Sequence, residues 1–275
     1  MRITINQIKD MKQKGEKITM LTAYDYSTAK IVDEVGIPLI LVGDSLGMVV
    51  LGYESTIPVT MEEMLHHSKA VVRGTKQTMV IGDMPFITYH ISVDDALKNA
   101  ARFIQEAGAQ AIKLEGGVTV AEKVRQIVEC GIPVMGHIGL TPQSIHQFGG
   151  FKVQGRTPEA AVKMLKDAQA LEEAGAFAIV LETVPTPLAT LITQKIGIPT
   201  IGIGAGIGCD DQVQVINDIL GSFTDFVPKH AKQYAKLTDI MSSAITEYYN
   251  EVKAGSFPTA KQSFSMDESI LAGLK

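Results

Sequence analysis

Four acidic residues stand at the ends of short apolar segments that are spread along most of the chain: Asp44, Asp83, Glu115 and Glu182. Taken singly, each carboxylate is equally well explained as a turn former or a helix cap. If all four reach one rim of a sheet, their like charges repel, and a cation is needed to hold them together. Carboxylate oxygens without cysteine or paired-histidine spacing favour a hard ion such as Mg²⁺ over zinc.

A lysine lies inside one of these apolar segments. Side chains two residues apart share a face of a β-strand, so Lys113 and Glu115 point the same way and Leu114 points the opposite way. A buried ammonium group is costly unless it is paired or functional. Lys113 is therefore either the structural partner of a neighbouring carboxylate or a contact for an anionic group of a substrate.

Other residues are predicted to face the same rim. Asp44 and Ser45 follow Gly43, and this turn offers a carboxylate, a hydroxyl and backbone amides that could bind a metal and a substrate carboxylate together. His137 ends another apolar segment, where it is a proton carrier, a substrate hydrogen-bonding group or a structural histidine. The glycines at this rim, which include Gly43, Gly82 and Gly136, are predicted to leave room for substrate or metal.

Two more conspicuous motifs have simpler interpretations. The glycine-rich run at residues 202–208 does not match the G-x-G-x-x-G pattern of dinucleotide sites and is better explained as a tight loop at a strand end. His66 and His67 fall within an amphipathic helical pattern and are predicted to lie at the surface or at an interface.

The elements that position the acidic residues repeat along the chain. Helical patterns end in glycine, and proline follows closely in the three copies of Gly-Ile-Pro. Glycine satisfies the last carbonyls of a helix from the left-handed conformation, and proline stops the helix. The runs that follow are apolar throughout, which indicates parallel strands covered by helices on both faces. Strands are predicted at residues 18–24, 39–44, 79–83, 111–115, 133–137, 178–182 and 200–204, with an eighth near residues 212–218.

Seven or eight β-α units without a break in composition predict a (β/α)8 TIM barrel in one domain, residues 1–275. A doubly wound open sheet is the less favoured alternative. Residues 1–15 are predicted to form a helix that plugs the base of the barrel, and the polar tail after Gly255 is predicted to be peripheral. Active sites of TIM barrels form where the strands end, which is where the acidic residues stand.

Composition narrows the class of protein. Hydrophobic residues make up 45% and charged residues 20% of the 275 residues, a globular balance that argues against disorder. The net charge of −5 and the lack of a basic stripe argue against a nucleic-acid partner. Two cysteines, no signal-peptide pattern and no apolar run of membrane-spanning length predict a cytoplasmic protein that is not inserted in a membrane.

Six segments of the chain resemble the ketopantoate hydroxymethyltransferase family, whose members are 3-methyl-2-oxobutanoate hydroxymethyltransferases. The matching segments are residues 41–48, 82–86, 113–117, 136–143, 149–156 and 201–206. They cover nearly the whole chain in the family's order, which is far more specific than any single motif. The chain departs from the family at Asp211, where glycine is usual, and we expect a changed loop there rather than lost chemistry.

The resemblance implies a TIM barrel of the phosphoenolpyruvate/pyruvate superfamily type, usually assembled as a homodecamer. It implies transfer of a hydroxymethyl group from 5,10-methylenetetrahydrofolate to 3-methyl-2-oxobutanoate, which gives 2-dehydropantoate (ketopantoate) for pantothenate biosynthesis. By motif, one Mg²⁺ per subunit would be bound by Asp44, Asp83 and Glu115. The oxo acid would be contacted by Asp44, Ser45, Asp83 and Lys113. The proton acceptor would be Glu182.

This chemistry is consistent with the residue types. An oxo acid that chelates Mg²⁺ can lose its C3 proton to give a stabilised enolate, which then attacks the one-carbon unit. Glu182 would have to be ionised at rest and basic enough to take a proton from carbon. One alternative is a Mg²⁺-dependent lyase or aldolase of the same superfamily, which would act on 2-oxo acids without folate. Another is a non-catalytic barrel that binds a metabolite, which gives no reason for Lys113 and Glu115 to face a ring of acids.

Overall fold

Eight parallel strands close into a barrel in which each strand pairs with its neighbours in chain order. The structure is a computed structural model and describes residues 2–274. The strands are β1 (Ile18–Thr22), β2 (Leu39–Val42), β3 (Met79–Asp83), β4 (Ala111–Glu115), β5 (Val134–Gly139), β6 (Ala178–Glu182), β7 (Thr200–Ile203) and β8 (Asp211–Gln214). The closed barrel confirms the predicted TIM fold and contradicts the open-sheet alternative.

Within the described residues, helices follow every strand except β7, and a further helix precedes β1. They are α1 (Ile5–Lys14), α2 (Tyr26–Val35), α3 (Leu46–Val49), α4 (Met61–Gly74), α5 (Val93–Gln105), α6 (Ala121–Glu129), α7 (Ile145–Phe148), α8 (Pro158–Glu173), α9 (Thr186–Lys195), α10 (Ile216–Leu220) and α11 (Leu237–Ala254). No helix within residues 2–274 has both the length and the apolar character that a membrane span requires.

The Gly-Ile-Pro corners differ in detail. Gly36 and Gly131 both have φ of 89°, the left-handed conformation expected of glycine after a helix. Gly197 does not, because α9 has already ended and Ile196 is extended with φ of −112°. The third corner therefore uses an extended residue, not a left-handed glycine, to turn the chain into its strand.

The interior of the barrel is apolar towards its base. Alternate residues of the strands point inward, including Met79 and Ile81 of β3 and Ala178 and Val180 of β6. At the base, α1 inserts the fully buried Ile8 among these side chains. Towards the carboxyl terminus of the chain, α11 and the described residues after it, to residue 274, have no buried side chain.

The eighth strand is shorter than predicted, and it contains Asp211, the residue at which the chain departs from the family pattern. It ends at Gln214 because α10 begins at Ile216, so the prediction of a strand to residue 218 was wrong. Asp211 is the first residue of β8 and pairs with Ile18 of β1, so the expectation of a changed loop was also wrong. Its side chain shares a face with Val213, which packs in the barrel interior.

The carboxylate of Asp211 is only partly satisfied. The residue is 1% exposed, Oδ1 accepts a hydrogen bond from the backbone N–H of Gln212, and Oδ2 has no partner in the described part of the chain. Burial raises the pKa of Asp211 to about 8, against the opposing effect of that hydrogen bond. The acid is therefore mostly protonated in the folded protein at neutral pH, and its ionisation opposes folding.

Asp211→Asn should flatten the pH dependence of stability. The folded-state pKa lies above the unfolded value, so the stabilisation from the bound proton is complete at low pH and is lost as the pH rises towards 8. From about pH 5.5 to about pH 8.5, the wild type should lose roughly 3 kcal/mol more unfolding free energy than the variant, measured by urea denaturation. The exposed Asp10→Asn is the control, and equal slopes for wild type and Asp211→Asn would contradict the prediction.

Candidate active site

The residues that the sequence placed at one rim meet in one cavity at the carboxyl ends of the strands. The cavity has a volume of about 600 Å³. In β4, Lys113 and Glu115 share the inward face of Ala111, and β3 and β6 end in the inward-facing Asp83 and Glu182. The predicted rim residues that line the cavity are Asp44, Ser45, Asp83, Lys113, Glu115, His137 and Glu182. The structure brings all seven together.

Lys113 is paired at the centre of the cluster. Its Nζ lies 2.8 Å from Asp83 Oδ1, because β3 and β4 are registered with Asp83 beside Lys113. Burial alone would lower the pKa of Lys113, but the carboxylates of Asp83, Glu115 and Asp44 outweigh it and raise the pKa above its ordinary value. The ammonium group is therefore charged, and the structural ion pair considered from the sequence is present.

The carboxylates around Lys113 repel one another. Burial, followed by the charges of Asp83 and Glu115, raises the pKa of Asp44 well above its ordinary value. Burial also raises the pKa of Asp83, although Lys113 acts in the opposite direction. Three buried carboxylates share one ammonium group, and the raised pKa values of Asp44 and Asp83 show that their ionised forms are disfavoured here, a cost that a bound cation would relieve.

A polar network that the sequence analysis missed holds these carboxylates in place. Gln143 donates from Nε2 to Asp44 Oδ2 at 2.9 Å and from its backbone N–H to Glu115 Oε2 at 3.1 Å. Tyr89 donates its hydroxyl proton to Gln143 Oε1 at 2.7 Å and accepts the backbone N–H of Glu115. In the sequence, Gln143 could have been found from its place in the family-like segment 136–143. No sequence pattern marked Tyr89.

Ser45 is oriented by a second missed residue. Its Oγ lies 2.8 Å from the hydroxyl of the buried Tyr24, which comes two residues after β1. The backbone N–H of Asp44 donates to Asp83 Oδ2 at 3.1 Å and fixes the turn that holds both Asp44 and Ser45. The hydroxyl of Ser45 is thereby kept on the cavity wall.

His137 connects the cluster to Glu182. Its Nδ1 lies 3.2 Å from Lys113 Nζ and 3.4 Å from Glu115 Oε1, and its Nε2 lies 3.3 Å from Glu182 Oε2. Burial and the charge of Lys113 favour neutral imidazole, but the carboxylates of Glu115 and Glu182 prevail and raise the pKa of His137 to about 9. These contacts make His137 a partner of both carboxylates.

Two rim glycines do not have the predicted role. A Cβ on Gly82 would lie 2.3 Å from the ring of Phe103, and a Cβ on Gly136 would lie 2.7 Å from Leu171. Both neighbours belong to the outer helices α5 and α8, so these glycines allow helices to pack closely on the barrel. A Cβ on Gly43 would approach Ser45 Oγ at 2.9 Å, so only this glycine of the three borders the cavity residues.

The donor set suits a hard cation, although the carboxylates do not form a complete ligand shell. Among residues 2–274, no three Asp, Glu, His or Cys side chains are close enough together to hold a metal ion as they stand. Glu115 Oε1 is buried and accepts no hydrogen bond within that range. Mg²⁺ commonly takes one or two protein carboxylates and completes its shell with water and substrate oxygens. The cluster fits such an ion, and Asp44, Asp83 and Glu115 would hold it.

Comparison with known proteins decides the family. The family model described as ketopantoate hydroxymethyltransferase matches residues 2–260. The chain belongs to the ketopantoate hydroxymethyltransferase family. The 3-methyl-2-oxobutanoate hydroxymethyltransferase of Dehalococcoides mccartyi is 66% identical over 275 residues, 100% of this chain and 98% of that protein. The enzyme of the same name from Syntrophus aciditrophicus is 59% identical over 263 residues, 96% and 97% of the two chains. The predicted family and the predicted transferase activity are confirmed.

Solved structures show the same fold at low sequence identity. Phosphonopyruvate hydrolase in complex with oxalate and Mg²⁺ has a TM-score of 0.59 and 14% identity, with coverage of 98% of this chain and 94% of that one. The 2,3-dimethylmalate lyase described as a member of the PEP mutase/isocitrate lyase superfamily has a TM-score of 0.60 with the same identity and coverage. The chain therefore shares the TIM-barrel fold of these proteins.

Proposed function

We propose that this chain transfers a hydroxymethyl group from 5,10-methylenetetrahydrofolate to 3-methyl-2-oxobutanoate at the acidic cluster, with one Mg²⁺ per subunit, and so forms 2-dehydropantoate for pantothenate biosynthesis. One observation carries the proposal: a single cavity holds three buried carboxylates and a charged lysine opposite a fourth carboxylate, Glu182. Such a site binds a cation together with an anionic substrate and has a separate base for a proton.

Asp44, Asp83 and Glu115 would hold the Mg²⁺. The raised pKa values of Asp44 and Asp83 support a cation there, as does the buried Oε1 of Glu115, which lies 3.4 Å from His137 Nδ1 and accepts no hydrogen bond among the described residues. When bound, Mg²⁺ supplies a Lewis acid that stabilises negative charge on the keto oxygen of the oxo acid. Gln143 would keep Asp44 and Glu115 in place before and after the ion enters.

Asp44, Ser45, Asp83 and Lys113 would contact the oxo acid. The ammonium group of Lys113 would bind the substrate carboxylate, because it is a buried positive charge and its hydrogen bonds to a carboxylate are charge-assisted. The hydroxyl of Ser45, held by Tyr24, can donate to the same carboxylate. Asp44 and Asp83 are acceptors themselves, so their contact with an anion depends on the shared cation.

Glu182 would accept the proton from C3. Its side chain is 16% exposed, more than those of Asp83, Lys113 or His137, so it borders open space in the cavity. His137 Nε2 at 3.3 Å would fix the orientation of the carboxylate as a positioning residue. Removal of the proton leaves an enolate. Water breaks both C–N bonds of the folate methylene group, which releases tetrahydrofolate and leaves the one-carbon unit as a carbonyl carbon that carries the water oxygen. Attack of the enolate C3 on that carbon forms the C–C bond, and the resulting alkoxide takes a proton to become the hydroxyl group.

The resemblance further predicts a homo-oligomer, a decamer, in the cytoplasm, and we include both in the proposal. The surface of α11 supports association with further copies of the chain. Its apolar side chains Ile240, Met241, Ile245, Tyr248 and Val252 are 46–63% exposed. An exposed apolar surface of this kind is commonly an interface.

Label transfer tests the proposal against the lyase alternative. With 3-methyl-2-oxobutanoate, Mg²⁺ and folate carrying carbon-13 in its methylene group, we expect the label in the hydroxymethyl carbon of 2-dehydropantoate by NMR. Removal of Mg²⁺ by a chelator should abolish the transfer. Label that stays on the folate in the presence of Mg²⁺ would contradict the proposal, and cleavage of the oxo acid would favour the lyase.

A further inference from the structure

A fifth acidic residue lines the cavity without belonging to the cluster. Asp218 lies in α10, beyond the end of β8, and is 5% exposed. Burial raises its pKa to about 6, and within residues 2–274 no hydrogen bond or opposite charge offsets that effect. Buried carboxylates normally have partners, because an unpaired one is costly. A ligand in the cavity would therefore supply the partner that Asp218 lacks among the described residues.

The cavity has two sides. The acidic cluster belongs to the segments from β2 to β6, and the opposite wall follows β7, β8 and the chain after α10. That wall has apolar side chains from Ile203, Val213, Val215, Phe226 and Pro228, and besides Asp218 it also has the polar side chains of Gln214, Lys229 and His230. A cavity of about 600 Å³ is in the range that holds drug-sized ligands, which is more space than a five-carbon oxo acid fills.

Asp218 lies close to the place proposed for the oxo acid. The backbone N–H of Ile216 donates to Thr22 Oγ1 at 3.0 Å, which joins the start of α10 to the end of β1, two residues before Tyr24. Thr22, Ser45 and Asp218 line the same cavity. The Tyr24 hydroxyl is 2.8 Å from Ser45 Oγ. A ligand that contacts both Asp218 and the apolar side chains of that wall would therefore lie beside the oxo acid, as the donor of a one-carbon unit must.

The pterin ring of the folate has the chemistry that this arrangement suits. Its pyrimidine ring is flat and can pack on apolar side chains, and one edge of that ring presents two adjacent donors, the ring N3–H and the 2-amino group. A carboxylate accepts two parallel N–H bonds from such an edge, and charge-assisted bonds of this kind are the strong ones. Since its pKa is about 6, Asp218 is ionised at neutral pH.

We propose that Asp218 binds the 2-amino and N3–H edge of the pterin of 5,10-methylenetetrahydrofolate, with the ring against the apolar side chains of the wall that follows β7 and β8. Asp218 is then a specificity-determining residue for the folate and takes no part in removing the C3 proton. The proposal rests on the proposed function, because it concerns the donor of that same reaction.

Asp218→Asn separates the two proposals. The amide keeps the shape but replaces an acceptor oxygen with a donor, so the KM for 5,10-methylenetetrahydrofolate should rise about 10- to 100-fold. The KM for the oxo acid and the Mg²⁺-dependent exchange of its C3 proton, measured without folate, should stay near wild type. The control is Asp225→Asn, the same change at an exposed acid in the neighbouring segment.

A folate analogue tests the contact without altering the protein. Tetrahydrofolate with methyl in place of the 2-amino group should bind the wild type about 10-fold more weakly than tetrahydrofolate. In Asp218→Asn this difference should largely disappear. Two results would overturn the assignment if the wild type still shows exchange and label transfer. One is an unchanged KM for folate in Asp218→Asn, and the other is equal binding of the analogue and tetrahydrofolate by the wild type. Loss of exchange and label transfer in the wild type would instead refute the proposed function.

Discussion

Glu182→Gln should lower the rate of C3 proton exchange of 3-methyl-2-oxobutanoate by about 10²- to 10⁴-fold. The amide keeps the size of the side chain and its place beside His137 Nε2, but it has no basic oxygen to receive a proton. Affinity for Mg²⁺ should change little, because Glu182 is outside the proposed ligand set. The measurement is loss of the C3 proton signal in deuterated water, followed by NMR at saturating Mg²⁺.

The control for this variant is Glu129→Gln, an exposed glutamate at the end of α6. It makes the same chemical change outside the cavity and should exchange at the wild-type rate. Exchange by Glu182→Gln at a rate similar to that of the control would remove Glu182 from the role of base. Loss of Mg²⁺ binding together with exchange would instead place Glu182 in the metal site.

Lys113→Met should destabilise the fold by about 3–5 kcal/mol, because it leaves buried carboxylates without their charged partner. Lys113 Nζ is 2.8 Å from Asp83 Oδ1, and both side chains are almost fully buried. Urea denaturation without metal measures the loss of unfolding free energy. Added Mg²⁺ should recover part of it, since a bound cation replaces the lost positive charge in the folded state alone.

The matched control is Lys163→Met, which also removes a lysine from an ion pair. Lys163 Nζ lies 2.7 Å from Asp167 Oδ2, but its side chain is 75% exposed. Its loss should cost less than about 1 kcal/mol, because water screens the pair. If both variants unfold at the same urea concentration, the cluster does not depend on Lys113 for charge balance.

The barrel was predictable because its signals are local. Continuous apolar runs, separated by helical patterns, predict parallel strands without knowledge of any distant contact. The same local periodicity placed Lys113 and Glu115 on one face of β4, and the closed barrel turns that face inward beside Asp83. Since strand ends of a barrel share one rim, residues far apart in sequence could be assigned to one site.

The supporting network was not predictable, because its contacts join distant segments and depend on side-chain placement. Gln143 and Asp44 are 99 residues apart and meet through loops that follow different strands. Gly82 and Gly136 were misread for a different reason, because strand alternation was not applied to them: each is next to an inward-facing residue, Asp83 or His137, and so faces the outer helices. Asp211 was assigned to a loop because the shortened β8 has too little apolar sequence to mark its start.

Deuterium exchange at C3 of 3-methyl-2-oxobutanoate, in the absence of folate, tests the central claim most directly. The claim is that the cavity binds the oxo acid at the cluster of Asp44, Asp83, Lys113 and Glu115 and removes its C3 proton with Glu182. The wild type with Mg²⁺ should replace the C3 proton by deuterium, and the reaction should stop when the metal is chelated. Absence of exchange in the wild type with saturating Mg²⁺ and oxo acid would contradict the claim.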